Sequence, residues 1–378
     1  MKFVISKQEL STLINKIQNI VPQKATVPIL SNFLLEAAND ELILTATDLT
    51  VGVRCYASAK IFEEGSTTLP AKRFAQLLRE LTSPNIEITT NSNEVTEIVA
   101  NSSRFKINGM SKSEFPALPD LSNAVQFSVK QKDLRDALYR TAFAVSREDN
   151  RYVLTGVLMR IGNATATFVG TDGKRLARAR LVVPLDPTIS GDYIIPLKAV
   201  EEILKSVEPA SESLATIYLM LDKIAVEANQ TLLISKLLLG DFPDVDRVIP
   251  PQPETCVVLH REELMTLLRQ VSLFVNNANS PVRFALSPGE LRITANSVEG
   301  EGKVSMPVNY QGGKLEIAFN PGFFLDILRH SEEETVTLGI TDSFNPGLIV
   351  EKEVVQVVAA LSNPLFVLMP MRLNEETD

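Results

Sequence analysis

Apolar residues recur at helical spacing in three places along the chain, each time just after a short alternating segment. In residues 131–145 one set of positions falls at i, i+3, i+4, i+7, i+8 and i+11, which places all of them on one face of a helix. The set comprises Leu134, Ala137, Leu138, Thr141, Ala142 and Val145. The same spacing predicts helices at residues 10–21 and 264–275. The pattern indicates one structural unit that is used three times.

The repeat continues beyond these helices. Residues 44–48 match residues 168–172 and, more loosely, residues 293–297. In each copy a strand, a turn and a second helix follow, with Pro or a similar breaker at the helix start. These segments are residues 69–78, 195–204 and 319–328. Because alternating stretches between the helices predict antiparallel strands, each copy is predicted to be an α+β domain with two helices and two antiparallel sheets.

A period of about 125 residues is typical of whole domains rather than of solenoid repeats. We therefore predict three tandem domains at residues 1–120, 125–250 and 254–373, followed by an acidic tail at residues 374–378. Pro and polar residues mark the seams between the domains. At the start of the first helix, Ser6 followed by Glu9 predicts a capping box.

Composition narrows the class of protein. Of the 378 residues, 45% are hydrophobic, which is enough for packed cores, and no apolar run reaches the length of about 18 residues that a membrane span needs. No signal-peptide pattern is present, and Cys55 and Cys256 are isolated, so we predict a cytoplasmic protein with reduced thiols. Because His260 and His330 lack neighbouring ligands, we predict no metal site and no cofactor.

The charge balance is acidic, with 46 acidic residues against 37 basic ones and a net charge of −9. Such a balance argues against a protein that binds nucleic acid over its whole surface. The predicted helices are less acidic than the rest of the chain, and residues 7–24 carry three Lys against one Glu. A protein with its basic residues segregated on one face therefore stays compatible with the composition.

Catalytic motifs are not evident. Residues 312–314 read Gly-Gly-Lys but lack the rest of a phosphate-binding loop. Asp48 and Asp172 are equivalent positions at strand ends, where Asp typically caps a turn. One alternative is a nucleotidyl-transfer enzyme that uses Asp48, Asp172 and Asp342 with magnesium. Another is a repeat-built interaction scaffold with no role on DNA.

Beyond the repeat itself, four motifs in this order and spacing resemble the bacterial DNA polymerase III β subunit family, the sliding clamps. They are Thr171-Asp-Gly-Lys-Arg-Leu176, Ser235-Lys-Leu237, Phe242-Pro-Asp244 and Met369-Pro-Met-Arg-Leu373. The resemblance covers essentially the whole chain. It implies the DNA clamp fold and a ring-shaped homodimer of six domains whose helices line the hole. A slightly basic lining would then face phosphates while the exterior stays acidic.

The resemblance also implies a pocket for partner peptides between the second and third domains, which receives a motif with a Gln and paired hydrophobic anchors. The matching positions are Leu154, Thr171, Gly173, Lys174, Arg175, Leu176, Pro243, Arg247, Val248, Phe344, Pro346, Val367, Met369, Pro370, Met371 and Arg372. Lys174 stands where relatives often carry His, and Phe344 is bulkier than the residues common at its position. The alternative is that residues 171–174 form only a hairpin turn and the C-terminal run an ordinary strand.

For the DNA lining, Lys24 lies at a position that touches DNA in relatives. Further candidates are Lys72, Arg73, Arg147, Arg151 and Lys198. A single Lys could equally be solvated surface charge, but as a set on hole-facing helices these residues would act together. Because no base-reading motif is evident, no sequence specificity is expected.

For the ring seam, residues 103–107 indicate an edge strand, which soluble proteins normally protect. By resemblance this strand pairs with the third domain of a second subunit. The implied interface residues are Arg104, Phe105, Ile107, Leu273, Phe274, Glu299 and Glu301, with Arg104 facing the two Glu residues. The alternative is that Phe105 and Leu273 belong to the ordinary core of their own domains.

The function implied by the resemblance is that of a non-catalytic clamp that encircles duplex DNA and tethers the replicative polymerase for processive synthesis. Its implied partners are double-stranded DNA, a second copy of itself, the DNA polymerase III alpha subunit, and other polymerases and mismatch-repair proteins that carry short peptide motifs. An ATP-dependent clamp loader would open it, since the chain has no nucleotide site of its own. No membrane partner is expected.

Overall fold

The computed structural model describes residues 1–277 and 280–372. The α-helices in these residues are α1 (Lys7–Ile17), α2 (Ala71–Glu80), α3 (Gln131–Ala142), α4 (Leu197–Ser206), α5 (Arg261–Val271) and α6 (Pro321–Arg329). Within the same ranges, no helix is both long and apolar enough to span a membrane. The predicted acidic tail at residues 374–378 lies outside the described residues.

The strands form three sets, one for each copy of the repeat. The first set is β1 (Lys2–Ser6), β2 (Asn32–Ala38), β3 (Glu41–Thr47), β4 (Val51–Ser58), β5 (Lys60–Glu63), β6 (Gly65–Pro70), β7 (Asn85–Thr90), β8 (Val95–Ala100) and β9 (Ser103–Asn108). The second is β10 (Val125–Lys130), β11 (Gly156–Gly162), β12 (Thr165–Thr171), β13 (Arg175–Val182), β14 (Gly191–Pro196), β15 (Leu214–Leu219), β16 (Lys223–Ala228) and β17 (Thr231–Lys236). The third is β18 (Thr255–His260), β19 (Val282–Ser287), β20 (Glu290–Ser297), β21 (Gly300–Pro307), β22 (Leu315–Phe319), β23 (Thr335–Ile340), β24 (Gly347–Val350) and β25 (Leu365–Leu368).

The three repeated helices α1, α3 and α5 end three to four residues before the apolar pattern does, and α1 and α5 begin three residues ahead of it. Ser6 caps α1, because its Oγ accepts a hydrogen bond from the backbone N–H of Glu9 at 3.1 Å, which confirms the Ser6 half of the predicted capping box. The Glu9 carboxylate accepts a hydrogen bond from the Ser6 hydroxyl at 2.6 Å. The apolar face continues past the helix ends, since Ile20 and Val145 lie beyond α1 and α3 and are still buried. Spacing alone does not distinguish the last helical turn from a buried residue in the following loop.

Two compact units can be distinguished in the chain, and the first comprises Met1–Arg135 and Lys198–Leu238. It contains a five-stranded sheet, β5-β1-β7-β8-β9, and an eight-stranded sheet, β10-β15-β16-β17-β4-β3-β2-β6. The larger sheet passes from the second copy of the repeat into the first where β17 pairs with β4, with Thr231 opposite Cys55 and Ser235 opposite Val51. In the smaller sheet β9 is an edge strand.

The second unit comprises residues 136–197 and the described residues from 239 onward. Its eight-stranded sheet, β14-β11-β12-β13-β25-β24-β23-β18, passes from the second copy into the third where β13 pairs with β25. At this joint Arg175 lies opposite Leu368 and Arg178 opposite Leu365. The remaining sheet, β21-β20-β19-β22, has β21 at its edge. All the strand pairs named here are antiparallel, as predicted.

Each unit has a dense apolar core between its helices and sheets. In the second unit α5 and α6 pack together over the four-stranded sheet, and three aromatic rings from β19, β22 and α6 contact one another in its core. The rings of Phe284, Phe319 and Phe324 have centroids 5.3 to 5.8 Å apart. Such contacts fix the position of the sheet edge relative to the helices.

Two glycines of the second unit test how tightly α3 packs on this framework. A Cβ on Gly170 would overlap the backbone carbonyl oxygen of Thr141, which closes α3. Gly170→Ala should therefore destabilise the protein by about 1–3 kcal/mol, seen as a lower denaturation midpoint in urea. Gly162→Ala is the matched control, because a Cβ there meets no described atom within 4 Å. Equal midpoints for the two variants would contradict this packing.

Candidate functional site

The turn between β12 and β13 is built by its own side chains. Asp172 Oδ1 accepts hydrogen bonds from the backbone N–H groups of Lys174 and Arg175, at 2.8 and 3.0 Å. Thr171 Oγ1 donates to the carbonyl of Arg175 at 2.6 Å and accepts from the N–H of Gly173 at 3.1 Å. Gly173 has φ of +83°, a left-handed conformation that favours glycine. Side-chain hydrogen bonds therefore fix the conformation of this turn, which forms the rim of the cavity described next.

A cavity of about 270 Å³ opens beside this turn, within the second unit. Nine of the positions predicted for the peptide pocket line it, namely Leu154, Thr171, Gly173, Arg175, Leu176, Pro243, Val248, Val367 and Met369. Three further lining residues, Arg151, Asp244 and Val245, were not predicted for the pocket. The walls are mainly aliphatic, and they also contain the thioether of Met369 and the guanidinium groups of Arg151 and Arg175. The cavity therefore suits a peptide, whose apolar side chains can contact the walls while its backbone contacts the polar groups.

Arg175 is held in place from several sides. Its guanidinium pairs with Asp172 at 3.1 Å and with Asp326 at 2.7 Å, and it donates to the carbonyl of Phe143 at 2.9 Å. It also lies over the rings of Phe143 and Phe323, with centroid distances of 5.4 and 4.6 Å. A guanidinium with this many partners is oriented before any ligand arrives.

Seven predicted pocket residues do not line the cavity: Lys174, Arg247, Phe344, Pro346, Pro370, Met371 and Arg372. Lys174 contributes its backbone, since its carbonyl accepts the N–H of Met369 at 3.0 Å. Arg247 points to solvent beside Asp244, 2.7 Å away, and Phe344 is 85% exposed. Met371 donates its N–H to the carbonyl of Ala318 at 2.8 Å, so the chain leaves the cavity toward β22.

The residues predicted for the DNA lining differ in their exposure and in their partners. Lys24, Lys72, Arg73 and Arg147 are exposed. Lys198, at the start of α4, pairs with Asp48 at 2.5 Å. Burial opposes ionisation of Asp48, but hydrogen bonds from Lys198 and from two backbone N–H groups lower its pKa below the ordinary value. Arg151 lines the cavity, where its Nη1 donates to the carbonyl of Asp172 at 3.1 Å.

The residues predicted for the seam lie on the two edge strands and beside them. Phe105 on β9 is 38% exposed and Leu273 is 79% exposed, so the alternative that both are ordinary core residues is wrong. Ile107 is buried, and Arg104 lies 3.8 Å from Glu97. Phe274 is partly buried in the core of its own domain.

The ring of Phe274 covers Gly302 on β21, where a Cβ would come within 2.6 Å of it. Glu299 and Glu301 are exposed. The ring of Phe274 therefore fills the space that a side chain at position 302 would occupy.

The three Asp residues of the alternative enzyme interpretation all cap turns. Asp48 accepts from the N–H groups of Thr50 and Val51, as Asp172 does at its equivalent turn. Asp342 accepts from the N–H groups of Phe344 and Asn345, and these bonds lower its pKa. In the ranges 1–277 and 280–372, no group of three or more His, Cys, Asp or Glu residues is arranged to hold a metal ion.

Comparison with known proteins agrees with this architecture along the whole chain. Family models match residues 1–119, 128–244 and 246–365, and they describe the N-terminal, central and C-terminal domains of the DNA polymerase III beta subunit. Together they define a three-domain clamp fold. The chain belongs to the bacterial DNA polymerase III beta subunit family, the beta sliding clamps.

Individual relatives span the full length. The beta sliding clamp of Chlamydia muridarum is 55% identical over 378 residues, with 100% of both chains covered. That of Proteus mirabilis is 31% identical, covering 99% of this chain and 100% of its own. Among solved structures, a Pseudomonas aeruginosa DnaN sliding clamp bound to griselimycin has a TM-score of 0.93 at 30% identity, covering 99% of this chain and 100% of its own.

A Bacillus subtilis DNA polymerase sliding clamp, at 24% identity and a TM-score of 0.92, shows the same fold; 99% of this chain and 100% of that chain are covered. The chain is thus a DNA polymerase III processivity clamp and not an enzyme, with DNA and the polymerase as its partners.

His330 supplies a pH-dependent test of the packing behind the cavity. Its ring stacks on Phe143 at 4.2 Å between centroids, and burial lowers its pKa from 6.5. The unfolded chain therefore takes up the proton first as the pH falls. Its contribution to stability is complete above about pH 6.5 and is lost as the pH falls toward the folded-state pKa, by at most about 1.4 kcal/mol per pH unit.

We expect His330→Gln to remove this contribution, so that the variant loses less stability than the wild type between pH 7 and pH 5 in urea denaturation. His260→Gln controls for the loss of a histidine outside this stack. Parallel stability curves for wild type and His330→Gln would contradict the effect of burial.

Proposed function

We propose that two copies of this chain close head to tail into a ring, with β9 of each copy pairing with β21 of the other, and that the ring carries the polymerase along duplex DNA. The observation behind this is the way the sheets continue across the repeat. In the first unit β17 pairs with β4, and in the second unit β25 pairs with β13. By position in the repeat, β9 corresponds to β17 and β25, and β21 corresponds to β4 and β13. In the described chain, however, β9 and β21 each lie at the edge of a sheet.

The two internal joints predict the register of the seam. Ser103 corresponds to Thr231, because each follows the two-residue turn that closes its hairpin. Val304 corresponds to Cys55, because residues 293–297 correspond to residues 44–48. Since Thr231 lies opposite Cys55, Ser103 is expected opposite Val304. The second joint gives the same register.

In this register Phe105 lies opposite Gly302, and Lys106 lies opposite Glu301. The equivalents of Phe105 and Gly302 at the internal joint are Leu233 and Val53, both buried. Phe105 would therefore lose its exposure, and the space above Gly302 is already taken by the ring of Phe274. Arg104 would lie diagonally from Glu301, on the same face as Lys106. If the ring closes after two subunits, the backbone N–H and C=O groups of both edge strands find hydrogen-bond partners.

DNA contacts in the proposed ring are weak and sequence-independent. The exposed Lys24, Lys72, Arg73 and Arg147 suit phosphates, whereas Lys198 and Arg151 already have protein partners. A protein that neutralised many phosphates would be held in place and would depend steeply on salt. Encirclement makes tight binding unnecessary, and the acidic remainder of the surface disfavours other DNA.

The cavity beside the β12–β13 turn is proposed to receive a partner peptide with a Gln and paired hydrophobic anchors. Its aliphatic walls suit the anchors, and the oriented Arg175 and the backbone of the rim suit the polar groups. The DNA polymerase III alpha subunit, the clamp loader, other polymerases and mismatch-repair proteins would share it. We further propose domains at residues 1–120, 125–250 and 254–373, a cytoplasmic location, and opening by the ATP-dependent loader.

Topological binding gives the first prediction for the proposed ring. Protein loaded on nicked circular plasmid should stay bound during gel filtration, and linearising the plasmid should release it, because a ring slides off a free end. The measurement is the amount of protein that co-elutes with DNA before and after cutting. Equal retention on both forms would contradict encirclement.

The register gives the second prediction. Lys106→Glu and Glu301→Lys should each weaken the dimer about 3- to 10-fold, because like charges then face each other across the seam. The double variant should recover most of the loss, as measured by analytical ultracentrifugation. Lys60→Glu, on the opposite edge strand of the same sheet, is the control. If the double variant dissociates as readily as the single ones combined, the two residues are not opposite each other.

A further inference from the structure

A second cavity, of about 280 Å³, lies in the first unit beside the turn between β3 and β4. It is lined by Thr47, Leu49, Thr50, Gly52, Pro116, Ala117, Leu118, Pro119, Lys223, Ile234 and Lys236. These residues come from the β3–β4 turn, the segment after Phe115, and β16 and β17. The cavity beside the β12–β13 turn is lined by three equivalent segments one repeat further along the chain: the turn itself, the segment after Phe242, and β25 with Met369. Lys223 of β16 on this side, and Arg151 and Leu154 on the other, have no counterpart in the lining.

The two rims have the same backbone construction. Thr47 Oγ1 donates to the carbonyl of Val51 and accepts from the N–H of Leu49, each at 3.0 Å, as Thr171 does with Arg175 and Gly173. In both cavities a Phe-Pro dipeptide leads into the opposite wall, with Pro116 corresponding to Pro243. The first unit therefore carries a counterpart of the peptide cavity at the joint of the first two copies.

Leu49 is the feature that ordinary packing does not explain. It has φ of +72°, where the equivalent position of the other rim has Gly173. A bulky side chain in the left-handed region is strained, and such strain is typical of positions that serve a purpose other than stability. Leu49 gains only partial burial in return, because it is 47% exposed and lines the cavity. Opposite it, Gly52 leaves room for Leu118, whose Cδ2 would lie 2.5 Å from a Cβ at that position.

The charges distinguish the second cavity from the first. Its charged lining residues are Lys223 and Lys236, whereas the first cavity has Asp244 and two Arg residues. Lys223 pairs with Asp222 at 2.6 Å, and Lys236 is exposed. A hydrogen bond from Lys223 lowers the pKa of Asp222, and the charge of Lys236 acts in the same direction, so both ammonium groups lie near this one carboxylate. The lining of the cavity is therefore mainly apolar, and its two charged residues are both lysines.

We propose that this cavity is a second docking site, which binds an extended peptide segment of a partner protein with adjacent apolar anchors flanked by carboxylates. The apolar anchors would enter between Leu49, Leu118 and Ile234, and the carboxylates would pair with Lys223 and Lys236. The site would let the clamp hold a partner of different sequence preference while the first cavity is occupied. It needs neither the ring nor DNA.

The test uses fluorescence polarisation with the full-length protein. The probe is a short labelled peptide with adjacent Leu and Phe between Asp residues, and its twin carries Lys in place of Asp. The acidic probe should bind saturably and at least about 10-fold more tightly than the twin. Lys223→Glu with Lys236→Glu should weaken it at least about 10-fold, which corresponds to about 1.4 kcal/mol. Leu49→Gly should weaken it several-fold without lowering the melting temperature, because it removes the wall and relieves the strain.

Val248→Asp, in the first cavity, is the matched control. It should leave the acidic probe unaffected while abolishing binding of an unlabelled peptide with a Gln and paired hydrophobic anchors, and that peptide should not compete with the probe. Absence of saturable binding to wild type, equal affinity after the double charge reversal, or loss of the probe in Val248→Asp would each overturn the proposal. None of these outcomes bears on plasmid retention, so failure here is distinguishable from failure of the proposed ring.

Discussion

The backbone hydrogen bonds at the edges of the sheets are the constraint on which this structure depends. A strand with one unpaired edge is a liability in water, and in this chain the two eight-stranded sheets avoid such edges by continuing from one copy of the repeat into the next. The pairing of β17 with β4 and of β25 with β13 repeats one geometry twice. The strands that would make a third such joint, β9 and β21, belong to the two ends of the repeat. Homodimerisation in the proposed form is the same joint made between chains.

The same duplication explains why the functional features lie where they do. Each joint brings together a Thr-Asp turn, a strand end and the segment after a Phe-Pro dipeptide, and so leaves a small cavity. In the second unit this cavity acquired Gly173, Met369 and a guanidinium fixed by Asp326. In the first unit it acquired a strained leucine and two lysines. The repeat thus accounts for the similar backbone of the two cavities, and the different side chains account for their different binding properties.

Much of the fold could be predicted from the sequence, because helices and turn caps depend on residues that are close together in the chain. Helical spacing identified the three repeated helices, and Asp at a strand end predicted the turn caps of Asp48 and Asp172. The cavity was only partly predictable. Arg151 reaches its wall from a short 3-10 segment with a kink, and Val245 could have been found only by aligning it with Leu118. Phe344, which the resemblance placed in the pocket, lies outside the lining and is 85% exposed, because the direction of a loop depends on tertiary contacts.

Hydrogen exchange of β9 (Ser103–Asn108) tests the central claim most directly, because it reports on the backbone groups that the proposed pairing would satisfy. The comparison is between wild type at high concentration and the same protein diluted below its dimer dissociation constant. Amide groups of β9 that point away from β8 should be protected at high concentration and should exchange rapidly on dilution, while β8 stays protected at both. Rapid exchange of those β9 amides in the undiluted protein would contradict the account.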